Sequence, residues 1–67
     1  MTMGERIKAA REAKGWTQQQ LADALGNAGN RQRVSQWESG YRNPRPDTLM
    51  RIAEILDTTA AKLMFGE

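Results

Sequence analysis

Thr17 stands three positions ahead of Gln20, and an apolar stripe of Leu21, Ala22 and Leu25 follows at once. In this capping box each side chain satisfies the other residue's backbone N–H, so a helix starts after Thr17. Gly26 ends it. The rest of the chain repeats this grammar. Met3, Ile7, Ala10 and the stem of Lys14 recur at helical spacing, which predicts a first helix over residues 3–14 with Gly15 as its stop. Gly26-Asn27-Ala28-Gly29 breaks the apolar pattern and turns the chain, and Asn30 is placed to cap a third helix that Gly40 closes. Pro46 suits the first position of a fourth helix carrying Leu49, Ile52, Ala53 and Leu56. Thr58 or Thr59 then caps a short fifth helix around Leu63. With no alternating pattern, repeat or linker, the expected fold is all-α, a five-helix bundle.

A chain of 67 residues has an ordinary apolar share and buries one modest core, so residues 1–67 are read as a single domain. The sequence holds no Cys and no His, which removes disulfides, thiolate nucleophiles, imidazole bases and the common zinc sites. The carboxylates show no pairing pattern and read as caps or solvated charges, so no enzyme, cofactor or metal is expected. No apolar run approaches the ~20 residues that span a bilayer, and the start lacks a secretory signal. These features predict a cytoplasmic protein with no membrane partner.

The net charge of +2 matters less than its distribution. Residues 27–46 hold Arg31, Arg33, Arg42 and Arg45 against Glu38, a net of +3, while the remainder nets −1. In the third helix Val34 and Trp37 face inward, leaving Arg31, Gln32, Arg33, Ser35 and Gln36 on the other sides. Arg and Gln form bidentate hydrogen bonds with guanine and adenine edges in the major groove, so such a helix is chemically suited to reading duplex DNA. Trp16 and Trp37 lie on apolar faces and are expected in the core rather than stacked on bases.

Leu21-Ala22 with Gly26, Val34-Ser35-Gln36-Trp37-Glu38-Ser39-Gly40 and Arg42-Asn43-Pro44, in that order, resemble the lambda-repressor-like helix-turn-helix family. The resemblance covers about the whole chain and implies a compact five-helix bundle that binds operator DNA, usually as a dimer. It differs in one place. Gly26 and Val34 are eight positions apart, where six is usual in the family, so the turn is about two residues longer, with Asn27-Ala28 or a nearby pair as the extra residues.

The resemblance implies roles for particular positions. Arg31, Gln32 and Gln36 match base-reading positions, with Arg33 close enough for a base or a flanking phosphate. Gln18 is implied to bond a phosphate at the start of the second helix, where the helix N-terminus adds partial positive charge. Ser35 and the loop residues Tyr41, Arg42 and Asn43 are implied to grip the backbone. In the lengthened turn, where the chain departs from the family, Asn27 and Asn30 are expected to reach a phosphate. Arg11 and Glu38 resemble a family ion pair that orients the recognition helix and leaves Arg11 near a phosphate. Asp57, Thr58, Leu63, Met64 and Phe65 are the implied dimer contacts, Met64 and Phe65 being equally open to terminal core packing.

These readings together predict a sequence-specific double-stranded DNA-binding transcriptional regulator. It would act as a homodimeric repressor at a palindromic operator, with RNA polymerase as a further partner there. A restriction-modification controller, an antitoxin-type regulator and the DNA-binding part of a longer protein stay open within that class. The rival from another class is a helical protein-interaction module that kept the fold and lost DNA binding.

Overall fold

The computed structural model describes residues 1–26 and 29–66. Its helices, in chain order, are α1 (Met3–Ala13), α2 (Gln18–Leu25), α3 (Arg31–Ser39), α4 (Pro46–Ile55) and α5 (Ala60–Phe65), with no strand among the described residues. None of these helices is long and apolar enough to cross a membrane. Asn27 and Ala28, one candidate for the extra pair in the turn, lie outside the described residues, and so does Asn27's expected phosphate contact.

Each start and stop has a local cause. Before α2, the Gln20 backbone N–H donates to Thr17 Oγ1 at 3.1 Å, and the Thr17 N–H donates to Gln20 Oε1 at 2.7 Å. Thr2 and Glu5 form the same reciprocal box before α1, a Thr-x-x-Glu pattern that the periodicity of the first helix does not reveal. Asn30 Oδ1 accepts from the Arg33 N–H at 2.9 Å, and Pro46 opens α4, both as expected. Of the two candidate caps for α5 the structure uses Thr59, whose Oγ1 accepts from the Lys62 N–H at 3.1 Å.

The core gathers one face from every helix. Ile7, Leu21, Ala22, Leu25, Val34, Trp37, Leu49, Ile52, Ala53, Leu56 and Leu63 are buried together, and half-buried Trp16 packs against them. Both tryptophans thus join the core or its edge. Leu63 is corrected by this packing. Grouped with the expected dimer contacts, it is only 2% exposed and faces inward, because α5 has to bury one apolar side chain against α1 and α4 to be held at all.

At Gly4 the backbone of α1 passes close to the end of α3. A Cβ there would lie 2.6 Å from the Glu38 carbonyl oxygen and closer still to that of Trp37. Both obstacles are backbone, so nothing rotates aside. In a freely exposed helix Gly→Ala gains about 1 kcal/mol from helix propensity. At Gly4 the sign should reverse, with Gly4→Ala losing about 1–3 kcal/mol through overpacking. Urea unfolding reads the difference. A raised midpoint would show that α1 and α3 separate without cost.

Candidate nucleic-acid interface

Polar side chains buried between α1, α2 and α3 set the position of α3. Glu38, on the inner side of the last turn of α3, is 8% exposed, and Arg11 of α1 is 7% exposed. Arg11 Nε donates to Glu38 Oε2 at 2.7 Å and Arg11 Nη2 to Glu38 Oε1 at 3.1 Å, a two-pronged pairing that fits a planar guanidinium to a carboxylate. Arg11 Nη1 donates to the Trp16 carbonyl oxygen at 2.6 Å. Gln18, the first residue of α2, adds a bond from Nε2 to Glu38 Oε1 at 3.0 Å. The hydrogen bonds that Arg11 donates to Glu38 push its guanidinium above its already high range, against the opposing cost of burial.

One network therefore ties α1, the turn after it, the start of α2 and the end of α3. Burying two charges is costly, and satisfying their lone pairs and protons is what makes the pair tolerable. No buried side-chain nitrogen or oxygen among the described residues lacks a partner. The Arg11–Glu38 pair implied by the family resemblance is present. Its burial makes Arg11 first of all a positioning residue for α3. Gln18's tie to Glu38 was not legible in the sequence.

With its inner side held, α3 shows Arg31, Gln32, Arg33 and Ser35 exposed and Gln36 half-buried. Two concave surfaces flank this ridge. One is lined by Gln18, Arg31, Gln32, Ser35 and Gln36, between α3 and the start of α2. The other runs from α3 to the α3–α4 loop and the start of α4, and includes Gln32, Arg33, Gln36, Arg42, Asn43, Arg45, Asp47 and Thr48. Gln32 and Gln36, one helical turn apart, line both surfaces and form the crest between them. Asn30 also lines the second surface, with its Oδ1 already used as the cap of α3.

The loop after α3 is shaped by its own backbone. Gly40 takes a left-handed φ of 84°, and its N–H donates to the Trp37 carbonyl oxygen at 3.3 Å. The Arg42 N–H returns to the Gln36 carbonyl oxygen at 3.3 Å, and Pro44 is buried beneath the loop. Tyr41, Arg42 and Asn43 are left exposed, with the Arg42 guanidinium 5.8 Å from the centre of the Tyr41 ring. The sequence points to Tyr41, Arg42 and Asn43 as contacts and counts Arg45 in the local basic excess, but it does not single out Asp47 or Thr48. Arg45, Asp47 and Thr48 all line the groove beside Arg42 and Asn43.

The residues expected at a dimer contact lie on α5 and in the turn before it. Met64 is 45% and Phe65 66% exposed, so they project from α5 rather than close the core. Asp57, at a left-handed φ of 58°, accepts from Lys14 Nζ at 2.9 Å, and Thr58 is half-buried.

Two short helices at a turn, the second held by a buried ion pair and showing a polar crest, define a helix-turn-helix domain. A sequence model of the helix-turn-helix family matches residues 7–63, and the chain belongs to that family, with the lambda-repressor-like fold. It is 36% identical over 64 residues to the HTH-type transcriptional regulator ImmR of Bacillus subtilis, covering 96% of this chain and 49% of that protein. It is 34% identical to the HTH-type transcriptional regulator DicA of Escherichia coli, covering 100% of this chain and 48% of that protein. The HTH-type transcriptional activator BcrR of Enterococcus faecalis is also 34% identical, with 32% of its length covered. The chain spans about half the length, or less, of these curated relatives. Among solved structures, the P22 c2 repressor in complex with synthetic operator 9T superposes with a TM-score of 0.92 at 28% identity, covering 100% of this chain and 98% of that one.

Proposed function

We propose that this domain binds double-stranded DNA in a sequence-specific way and regulates transcription, acting as a repressor by occupying an operator. The observation that carries this reading is the Gln32–Gln36 crest on a helix locked by Arg11, Glu38 and Gln18, in a fold that superposes on a repressor bound to its operator. Arg31, Gln32, Arg33 and Gln36 read base edges from the crest. Ser35, Tyr41, Arg42 and Asn43 grip the sugar-phosphate backbone on either side, with Gln18 and Asn30 beside them, and Arg11 acts chiefly by orienting α3. Such contacts divide the work, since phosphate contacts position the protein and base contacts specify the site.

Two copies related by a twofold axis would read a palindromic operator, with Met64 and Phe65, backed by Asp57 and Thr58, at the contact between them. A cytoplasmic location fits this role. Activation through contact with RNA polymerase is the second reading, favoured by the similarity to an activator. The helical protein-interaction module without DNA binding has no observation of its own in its favour.

Gln32→Ala and Gln36→Ala are each expected to cost on the order of 1–3 kcal/mol on the best site and little on random duplex. Equal losses on both duplexes would mean that the two glutamines only hold the backbone. Arg42→Ala should instead weaken every duplex alike and lower the slope of log affinity against log salt by about one. A salt titration of the two proteins checks this, and an unchanged slope removes Arg42 from the interface.

A further inference from the structure

The groove between α3 and the α3–α4 loop contains one charge of the wrong sign for a phosphate. Asp47, the second residue of α4, is exposed and lines this groove with Arg33, Arg42 and Arg45. It is the only acid among the described residues that do so. The ion pairs found among the described residues, Arg11–Glu38 and Lys14–Asp57, do not involve it. No cation among the described residues forms an ion pair with its carboxylate. An acid in the first turn favours the helix dipole. That benefit is the same whichever way the residue faces, and it gives no reason for a carboxylate to border a basic groove.

We propose that Asp47 is a specificity-determining residue that acts by repulsion; this rests on the DNA-binding reading above. On a duplex whose bases match Gln32 and Gln36, the register is fixed and the phosphates are delivered to Arg42 and Asn43. On a duplex without those matches nothing fixes the register, and phosphates move over the whole groove, Asp47 included. Two like charges several ångströms apart near a protein surface repel enough to change binding severalfold. Specificity is a difference of affinities, and a repulsive element that acts mainly on the wrong partner widens it.

The test compares wild type, Asp47→Asn and Glu54→Gln on a selected duplex and on a random duplex, at about 0.1 M salt. Glu54 is an exposed acid on the same helix and does not line the groove, so it controls for the change in net charge. Asp47→Asn should raise affinity for random duplex about three- to tenfold and affinity for the selected duplex less than twofold. Glu54→Gln should change both by less than twofold, since solvent charges beyond a Debye length of about 10 Å are screened. Asp47→Ser, which keeps a side chain suited to a helix start, should reproduce the effect if the amide itself disturbs α4. An unchanged ratio of the two affinities in both Asp47 variants would overturn the role of Asp47 while wild-type preference stands. Wild type that binds neither duplex would overturn the DNA-binding reading, and the role of Asp47 with it.

Discussion

Glu38→Ala is expected to destabilise the domain by about 3–5 kcal/mol, the usual cost of leaving one member of a buried ion pair without its partner. Arg11 would remain buried, with Nε and Nη2 having lost their acceptors and only the Trp16 carbonyl left. A domain of this size has a total stability of about 3–10 kcal/mol, so much of the population should unfold at denaturant concentrations that wild type withstands. Replacing both partners by apolar residues, Arg11→Met with Glu38→Leu, should recover most of that stability, because the desolvation cost disappears together with the attraction. DNA affinity should not recover with it. The double variant lacks the carboxylate that joins Gln18 and Arg11 to the end of α3, so a folded core would no longer fix the direction of the crest. Urea unfolding and duplex binding on the same samples separate the two effects. A Glu38→Ala variant within about 0.5 kcal/mol of wild type, in the range of ordinary surface substitutions, would show that the pair contributes little.

The second large effect concerns DNA geometry. If two copies place α3 in successive major grooves on one face of the duplex, their half-site centres lie about one helical turn, roughly 34 Å, apart. Inserting about five base pairs between the half-sites turns one of them to the opposite face. Affinity should then fall toward that of a single half-site, a loss on the order of 100-fold or more when avidity is removed. The basis for expecting two copies is the exposure of Met64 and Phe65 on α5, side chains for which a lone domain has no inward use. Phe65→Asp should give a similar loss on the intact site without changing half-site affinity. Binding that ignores the inserted spacing would mean that each copy acts alone.

Local chemistry was legible in the sequence, and long-range adjacency was not. The Thr17–Gln20 box, the Asn30 cap, Gly40 and Pro46 act within a few residues of themselves, and the helices begin and end where those residues stand. The outward side of α3 was equally legible, since Val34 and Trp37 fix which way it faces. Leu63 alone does not belong with Met64 and Phe65 among the exposed residues. Three apolar residues in a row carry no period that says which one turns inward, and the packing of α5 on α1 and α4 decides it. Gln18 could be placed at a helix start but not beside Glu38, twenty residues away. Asp47 and Thr48 stand at the start of α4, and nothing local in the sequence says that they border the same groove as Gln32, Arg33 and Gln36 of α3. Gly4 offered no clue either, because a glycine required by a neighbouring helix looks like any other glycine in a helix.

The most direct measurement is selection of bound duplexes from a random pool with wild type and with the Gln32→Ala, Gln36→Ala double variant. Wild type should enrich a palindromic consensus with two equivalent half-sites. The double variant should still retain duplex above background, through Arg42, Asn43 and the other backbone contacts, but with preference lost at particular positions in each half. Wild type that enriches no sequence, or a double variant that enriches the same consensus with the same preference at every position, would contradict the claim that the α3 crest reads DNA.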